Sequence, residues 1–345
     1  MSALVTSFMG FPRLPLMAAP TRLQRLEALG EELGVDLYLK RDDEADAWGN
    51  GGKVRKLELE LGAMTSRGCD TLISAGSWGS NQCRALAMYA AQLKLRAVLH
   101  LYGEGEPREV NGNALTAALF GAELHFHPAS HFVDVEAAMR RSAEAERRAG
   151  RRPHLVAPGM TDGAANLGYV RMAYELSEQS AFAPLDDVVL AHATGGAQAG
   201  LMLGRRLTGS PWRVIGVSTM HPAATARAAC EARAQTLTAL TGSSIDEPFW
   251  VHDGALAGGY GEFDMDSLRL IGRLAKDHGV LFDPVYTLKA YVGLAQLCAS
   301  GAVPKGSKVA LLHSGGASAL GGLLQSAAVD YRGALVRELV RGEGP

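Results

Sequence analysis

From Cys69 onward the chain alternates short apolar runs with longer helix-forming stretches, and this leaves few architectures open. Residues 71–75, 96–102 and 123–127 read as strands. Residues 81–93, 111–120 and 133–148 read as helices. Strands separated by whole helices cannot pair as hairpins. They lie parallel, with helices covering the sheet faces. The series breaks at VAPGMTDG, residues 156–163, which reads as a crossing between domains. It then resumes with helices over 164–179, 201–207, 223–240, 265–278 and 287–300, and strands over 187–193, 214–218 and 308–313. A last helix is expected over 328–340. Ahead of the series, Thr21 is a plausible N-cap for a helix carrying Leu23, Leu26 and Leu29. A strand over 35–40, the acidic turn Asp42-Asp43-Glu44 and a helix from about Val54 to Ser66 follow. The expected fold is α/β: two open, mostly parallel twisted sheets with helices on both faces.

A chain of 345 residues, 47% hydrophobic, is long enough for two such domains. Its net charge of −2 advertises no polyanion partner, so no nucleic acid is expected. The clusters Arg140-Arg141 and Arg147-Arg148…Arg151-Arg152 suit an exposed helix face and the loop after it. The four cysteines are scattered, with no CxxC, as suits reduced thiols in a cytoplasmic protein. No apolar run is long enough to span a bilayer, and residues 1–20 lack a basic start and are broken by Pro12 and Pro15. Neither a membrane span nor a secretory signal is expected.

Chemistry concentrates in one lysine and three glycine-rich turns. Gly49-Asn50-Gly51-Gly52 delivers Lys53 to the first turn of a helix. Glycines let backbone approach a ligand closely, and a helix start favours anions. Lys53 there is either an exposed cation or a nucleophile toward a carbonyl. Thr194-Gly195-Gly196-Ala197-Gln198-Ala199-Gly200 follows an apolar strand and offers backbone N–H groups, as a phosphate cradle or as a tight strand-to-helix turn. It matches neither the Walker form nor the dinucleotide form. Ser77-Trp78-Gly79-Ser80-Asn81-Gln82 also ends at a helix start. It would hold a carboxylate, or Ser80 simply caps the helix. Ser314-Gly315-Gly316 ends a third strand. Turns at C-terminal strand ends line the crevice where open α/β sheets bind ligands. With Lys53 they suggest a covalently held phosphorylated aldehyde, for which pyridoxal 5'-phosphate is the obvious candidate.

The runs GGKVRKLE, SNQ, TGGAQAG, GYG, DPVYT and HSGGA, in this order, resemble the pyridoxal-phosphate fold-type-II family that contains D-cysteine desulfhydrase and 1-aminocyclopropane-1-carboxylate deaminase. The resemblance extends from FPRLPLMAAPTRL to HSGGA. It implies a tryptophan-synthase-β-like fold, with residues 1–52 and 164–345 as a large cofactor-binding domain, 53–163 as a small domain, and the active site in the cleft between them. It implies a homodimer. Lys53 would hold the cofactor covalently and shuttle the α-proton. Asn81 would contact the cofactor's phenolic oxygen. Thr194, Gly195, Gly196, Ala197, Gln198 and Ala199 would bind its phosphate, and Ser314 would sit at the ring nitrogen. Ser80, with Gln82, would bind the substrate carboxylate or assist proton transfer, and Tyr260 and Tyr286 would border the substrate.

The cyclopropane deaminases carry glutamate directly after the second tyrosine. Thr287 stands here, as in the desulfhydrases, and favours β-elimination. Two residues depart from the family pattern: Gly52 replaces the asparagine before the lysine, and Trp78-Gly79 replace isoleucine-glutamine. Trp78 would reshape the pocket wall, which keeps L-cysteate and other β-substituted alanines open as substrates. A transferase or deaminase on the same cofactor, and a non-catalytic phosphate-ligand binding protein, are the competing readings. His125 and His127, with His131 nearby, read as a strand-end histidine pair, and no metal is expected. Cys83 reads as a small buried residue.

Overall fold

The computed structural model describes residues 6–103, 110–129, 133–161 and 163–322. In chain order the strands are β1 (Thr6–Phe8), β2 (Phe11–Arg13), β3 (Leu23–Arg25), β4 (Asp36–Arg41), β5 (Thr71–Ser77), β6 (Arg96–Gly103), β7 (Glu123–Pro128), β8 (Pro153–Val156), β9 (Asp187–His192), β10 (Arg213–Ser218), β11 (Trp250–His252) and β12 (Lys308–His313). The helices are α1 (Glu27–Leu33), α2 (Lys53–Ser66), α3 (Asn81–Leu93), α4 (Gly112–Leu119), α5 (Val133–Arg148), α6 (Leu167–Gln179), α7 (Gly196–Thr208), α8 (Ala223–Thr241), α9 (Met265–His278) and α10 (Thr287–Ala299). Among the described residues no helix is long and apolar enough to cross a membrane. The final helix expected over 328–340 lies outside the described residues.

The chain forms two compact units. The first comprises Lys53–Ala165, the segment up to Met17 and the stretch that opens at Ser318; the second holds Ala18–Gly52 and Asn166–Ala317. In the first unit the parallel sheet runs β7-β6-β5-β8. Ile73, Ala75 and Val98 on one sheet face are buried against Val135, Met139 and Ala143 of α5, the apolar stripe of an otherwise charged helix. β8 was not expected. It has only four residues and opens with Pro153, a residue tolerated at the first position of an edge strand. The leading segment, expected with the larger region, packs here because Glu58 collects it. The Glu58 carboxylate accepts hydrogen bonds from Arg13 Nε (2.8 Å), Leu16 N (2.9 Å) and Met17 N (3.2 Å). It is buried, and the charged partner and backbone donors offset its desolvation.

In the second unit a six-stranded sheet runs β11-β10-β9-β12-β4-β3, parallel except for β3. Strand order reverses direction between β9 and β12: β9 leads through α7 to β10 on one side, while β4 flanks β12 on the other. The loops after β9 and β12 therefore emerge side by side at a topological switch point. Leu23–Arg25 is a strand rather than the expected helix. Leu23 pairs with Lys40 across the β3–β4 ladder, and the Thr21 hydroxyl donates to Asp42 Oδ1 (2.9 Å) instead of capping. A three-residue leucine spacing alone does not separate the two outcomes. Buried Lys40 is satisfied by Thr21 O (2.9 Å), Glu175 Oε2 (2.9 Å) and Gln179 Oε1 (2.8 Å).

Helix α7 begins at Gly196, five residues earlier than expected, because its glycines serve packing rather than a turn. A Cβ at Gly200 would lie 2.4 Å from Asn166 O, and one at Gly204 would lie 2.4 Å from Ala173 Cβ and 2.8 Å from Val170 O. The two glycines, one turn apart, let α6 and α7 meet at backbone distance. A Gly204→Ala substitution should therefore lower stability by about 1–3 kcal/mol despite its better helix propensity. A chemical-denaturation midpoint unchanged from wild type would contradict this close approach.

Candidate active site

In the first unit, Lys53 is the first residue of α2 and half-buried. Among the described residues its amine takes part in no hydrogen bond or ion pair. Burial lowers its pKa from the ordinary lysine value, an effect the Cys83 thiol partly opposes. The same burial pushes Cys83 up to about 11. Desolvation thus moves the two groups in opposite directions, favouring the neutral form of each.

The turn after β5 stands where strand order reverses in this sheet, between β5 and β8. Ser80 is the N-cap of α3, its Oγ accepting from Cys83 N at 3.2 Å. The Ser80 hydroxyl also hydrogen-bonds the Cys83 thiol, which leaves the first-turn N–H groups as the donors suited to a ligand. Asn81 is oriented by a residue that the sequence did not single out. Asn113 Nδ2 donates to Asn81 Oδ1 (2.8 Å) and to Gly79 O (2.8 Å). With Oδ1 occupied, the Asn81 amide offers its NH2, a donor suited to a phenolic oxygen. Gln82 turns inward: its Nε2 donates to Ser74 Oγ (3.2 Å) and Ala157 O (2.9 Å), leaving the backbone N–H as its means of meeting a carboxylate. Trp78 lies flat on Gly103, where a Cβ would come within 2.6 Å of the indole. Its Nε1 is buried without a hydrogen-bond partner among the described residues.

In the second unit, the loop after β9 makes a sharp entry into α7. Gly195 is the N-cap residue at φ +83°, with no side chain to satisfy the first helical N–H groups. A Cβ there would stand 2.9 Å from Cys230 N. Both the dihedral and the close approach demand glycine, and the uncapped N–H groups of Gly196, Ala197 and Gln198 are suited to an anion. The Gln198 side chain faces away from the cradle. Its Oε1 accepts from His192 Nδ1 (2.9 Å), and its Nε2 donates to Trp250 O (2.8 Å).

The loop after β12 is set by backbone contacts. Gly52 N donates to Ser314 O at 3.0 Å, and a Cβ on Gly51 would fall 2.0 Å from that oxygen. His313 anchors the loop through Leu281 O (3.1 Å) and Gly315 N (3.3 Å), while the Ser314 hydroxyl makes no hydrogen bond among the described residues. Gly52, a departure from the family pattern, has a local cause. A Cβ there would lie 2.5 Å from the hydroxyl of buried Tyr169.

Tyr260 and Tyr286 meet: the Tyr286 hydroxyl donates to that of Tyr260 at 3.0 Å, with ring centroids 6.1 Å apart. Thr287 is buried, and its hydroxyl is spent locally, donating to Asp283 Oδ2 (2.7 Å) and accepting from Asp283 N (2.8 Å). Asp283 also accepts from Val285 N and Tyr286 N, so this one buried carboxylate fixes the start of α10. The histidine pair is internal to the first unit. His127 Nε2 lies 2.9 Å from His100 Nδ1, and His125 Nε2 lies 2.7 Å from Glu123 Oε1. His131 lies outside the described residues.

Uncapped donors at a glycine that tolerates no Cβ suit a phosphate. A desolvated amine suits an aldehyde, and an oriented amide suits a phenolic oxygen. These are three of the four polar groups of pyridoxal 5'-phosphate, the ring nitrogen being the fourth, so the residues present fit it. A family model described as pyridoxal-phosphate dependent enzyme matches residues 14–315. A Pyrococcus abyssi protein provisionally named 1-aminocyclopropane-1-carboxylate deaminase is 35% identical over 310 residues, 89% of this chain and 92% of that one. A D-cysteine desulfhydrase from Serratia proteamaculans is 34% identical over 319 residues, 90% of this chain and 95% of that one. The crystal structure of a 1-aminocyclopropane-1-carboxylate deaminase homologue superposes with a TM-score of 0.84 at 31% identity, covering 91% of this chain and 96% of that chain.

The Gly52–Tyr169 contact yields a coupled pair of substitutions. Gly52→Ala should cost about 1–3 kcal/mol of stability, and Tyr169→Phe, by removing the oxygen in the way, should relieve more than half of that in the double variant. Strictly additive losses in a double-mutant cycle would show that the hydroxyl is not what excludes a side chain at position 52.

Proposed function

The chain belongs to the pyridoxal-phosphate-dependent enzyme family, and from that premise we propose that it is a carbon–sulfur lyase. It removes the β-substituent of a cysteine-like amino acid, in the manner of a D-cysteine desulfhydrase, and yields pyruvate, ammonia and sulfide. The observation that carries this reading is the tyrosine pair, two phenols in hydrogen-bond contact beside a position, Thr287, that brings no carboxylate.

Lys53, Asn81, the loop from Thr194 to Ala199, and Ser314 would hold the cofactor, which when bound supplies an electron sink for charge developing at the substrate α-carbon. Lys53 is suited to accept the α-proton at Nζ, since its lowered pKa raises the share of neutral amine. Ser80 and the backbone N–H groups of Asn81 and Gln82 are suited to the substrate carboxylate. One phenol of the Tyr260–Tyr286 pair gives its proton to the departing sulfur and is replenished from the other. The unsaturated amine that leaves takes up water to give pyruvate and ammonia. Trp78 and Thr287 would border the substrate.

The relatives named 1-aminocyclopropane-1-carboxylate deaminase favour a second reading, ring opening of the cyclopropane amino acid. Elimination of sulfite from L-cysteate stays open as a third, because Trp78 departs from the family pattern. Keto-acid release separates them on a panel of D-cysteine, L-cysteine, L-cysteate, β-chloro-D-alanine and the cyclopropane substrate. Pyruvate with sulfide from D-cysteine is expected. 2-Oxobutanoate from the cyclopropane substrate alone would replace elimination by ring opening, and no keto acid from a yellow, cofactor-loaded protein would overturn the lyase reading. Lys53→Ala should abolish turnover together with borohydride-stable attachment of the cofactor. Tyr286→Phe should lower kcat by about 10²–10⁴-fold with a smaller change in KM; equal losses in both would assign the hydroxyl to binding alone.

A further inference from the structure

Two lysines of the second unit are buried, Lys40 and Lys289. Lys40 has a carboxylate partner in Glu175. Lys289, 3% exposed, has no ion pair among the described residues. Its Nζ donates instead to two backbone carbonyls, Leu256 O at 2.7 Å and Gly259 O at 2.6 Å. Both carbonyls belong to the loop that carries Tyr260. That loop runs through the left-handed region at Ala257 (φ +49°), Gly258 (φ +92°), Gly259 (φ +130°) and Gly261 (φ +80°). Left-handed backbone at a non-glycine residue persists only where surrounding contacts hold it. Lys289 also lies in the first turn of α10, the helix that Tyr286 immediately precedes.

We propose that Lys289 is the positioning residue of the tyrosine pair: its ammonium gathers the Leu256 and Gly259 carbonyls and thereby seats Tyr260 against Tyr286. The proposal rests on the reading that this pair serves the substrate. Tyr260 is joined directly to Gly259, so the carbonyl that Lys289 grips is one peptide from the phenol's own backbone. Tyr286 leaves the start of the helix that carries Lys289. One cation therefore ties both phenols to one rigid element. Gln296, two turns further along α10, adds a bond from Nε2 to Gly254 O (3.1 Å) and holds the start of the same loop. Burial disfavours the charge on Lys289, and the negative charges of Glu262 and Asp283 oppose that shift. Without a cation, two converging carbonyl dipoles would face each other unpaired.

Lys289→Met keeps the aliphatic stem and deletes the charge. Hydrogen exchange of the substrate-free protein should speed up by about tenfold or more across residues 254–261, and stay as in wild type across β9, β10 and β12. In steady-state assays kcat should fall about 10–100-fold with little change in KM. Tyr286→Phe added to Lys289→Met should cost far less than it does alone, since the phenols are already unseated. Propylammonium supplied to Lys289→Ala should restore both loop protection and turnover. Unchanged exchange at 254–261 overturns the proposal. So do exchange raised uniformly over the sheet, additive losses with Tyr286→Phe, and failure of the amine to restore protection. A wild-type protein that releases no keto acid from any substrate would sink the lyase reading, while the exchange and amine-rescue results would still decide whether Lys289 seats the loop.

Discussion

Gly51 and Gly52 lie against the Ser314 carbonyl at a distance that admits no side chain, and the chemistry of the protein hangs on that contact. One peptide later comes Lys53. A reactive amine on a four-carbon stem is useful only if its backbone is held, because the stem itself has many rotamers. The contact holds it with backbone, the stiffest partner available, at a glycine whose φ of +63° no ordinary residue adopts cheaply. The His313 ring, at the end of β12, packs tilted against Phe282 with centroids 5.1 Å apart. The Gly51–Gly52 turn is thus tied to the end of β12, and β12 to the middle of a six-stranded sheet.

The electrostatic design follows from burial. Each buried ionisable group near the site is either satisfied on all sides or left poised. Asp283 and Glu58 belong to the first kind. Their oxygens accept several N–H and O–H bonds each, so they act as rigid fasteners. Lys53 belongs to the second. It lacks a hydrogen bond or ion pair among the described residues, so desolvation, only partly opposed by Cys83, lowers its pKa. Cys83, under the same desolvation, moves the opposite way, because for a thiol the charged form is the deprotonated one. One environment therefore shifts the amine and the thiol in opposite directions.

Much of this was legible in the sequence, because long elements with clear periodicity announce themselves. The helices over 81–93, 133–148 and 265–278 begin and end where the pattern placed them. β8 and β11 escaped notice because three or four residues carry no measurable alternation. The start of α7 was hidden because glycine reads as a turn signal, whereas here it serves close helix packing. Side-chain supports were the least visible. Asn113 orients Asn81 from 32 residues away, and Tyr169 fills the space beside Gly52 from 117 residues away. No local spacing encodes such partners. Gln82 and Gln198 show the converse: both stand in functional motifs, yet both aim their side chains inward to fasten the loop that offers its backbone.

The inward aim of Thr287 narrows which group can supply a proton in the second unit. Its hydroxyl hydrogen is directed at Asp283 Oδ2, and its lone pair receives Asp283 N–H, so it is a cap for α10 and not an acid. Asp283 is itself occupied by backbone donors. Among the hydroxyls assigned to the substrate, those of Tyr260 and Tyr286 are in contact with one another. A phenol is a far stronger acid than an aliphatic alcohol, and two in contact stabilise the phenolate that forms when one gives up its proton. A departing thiolate needs only one proton, delivered once and recovered from water. In the elimination proposed for this chain, a tyrosine pair would meet that demand without a carboxylate, leaving the residue after Tyr286 to hold the helix in place.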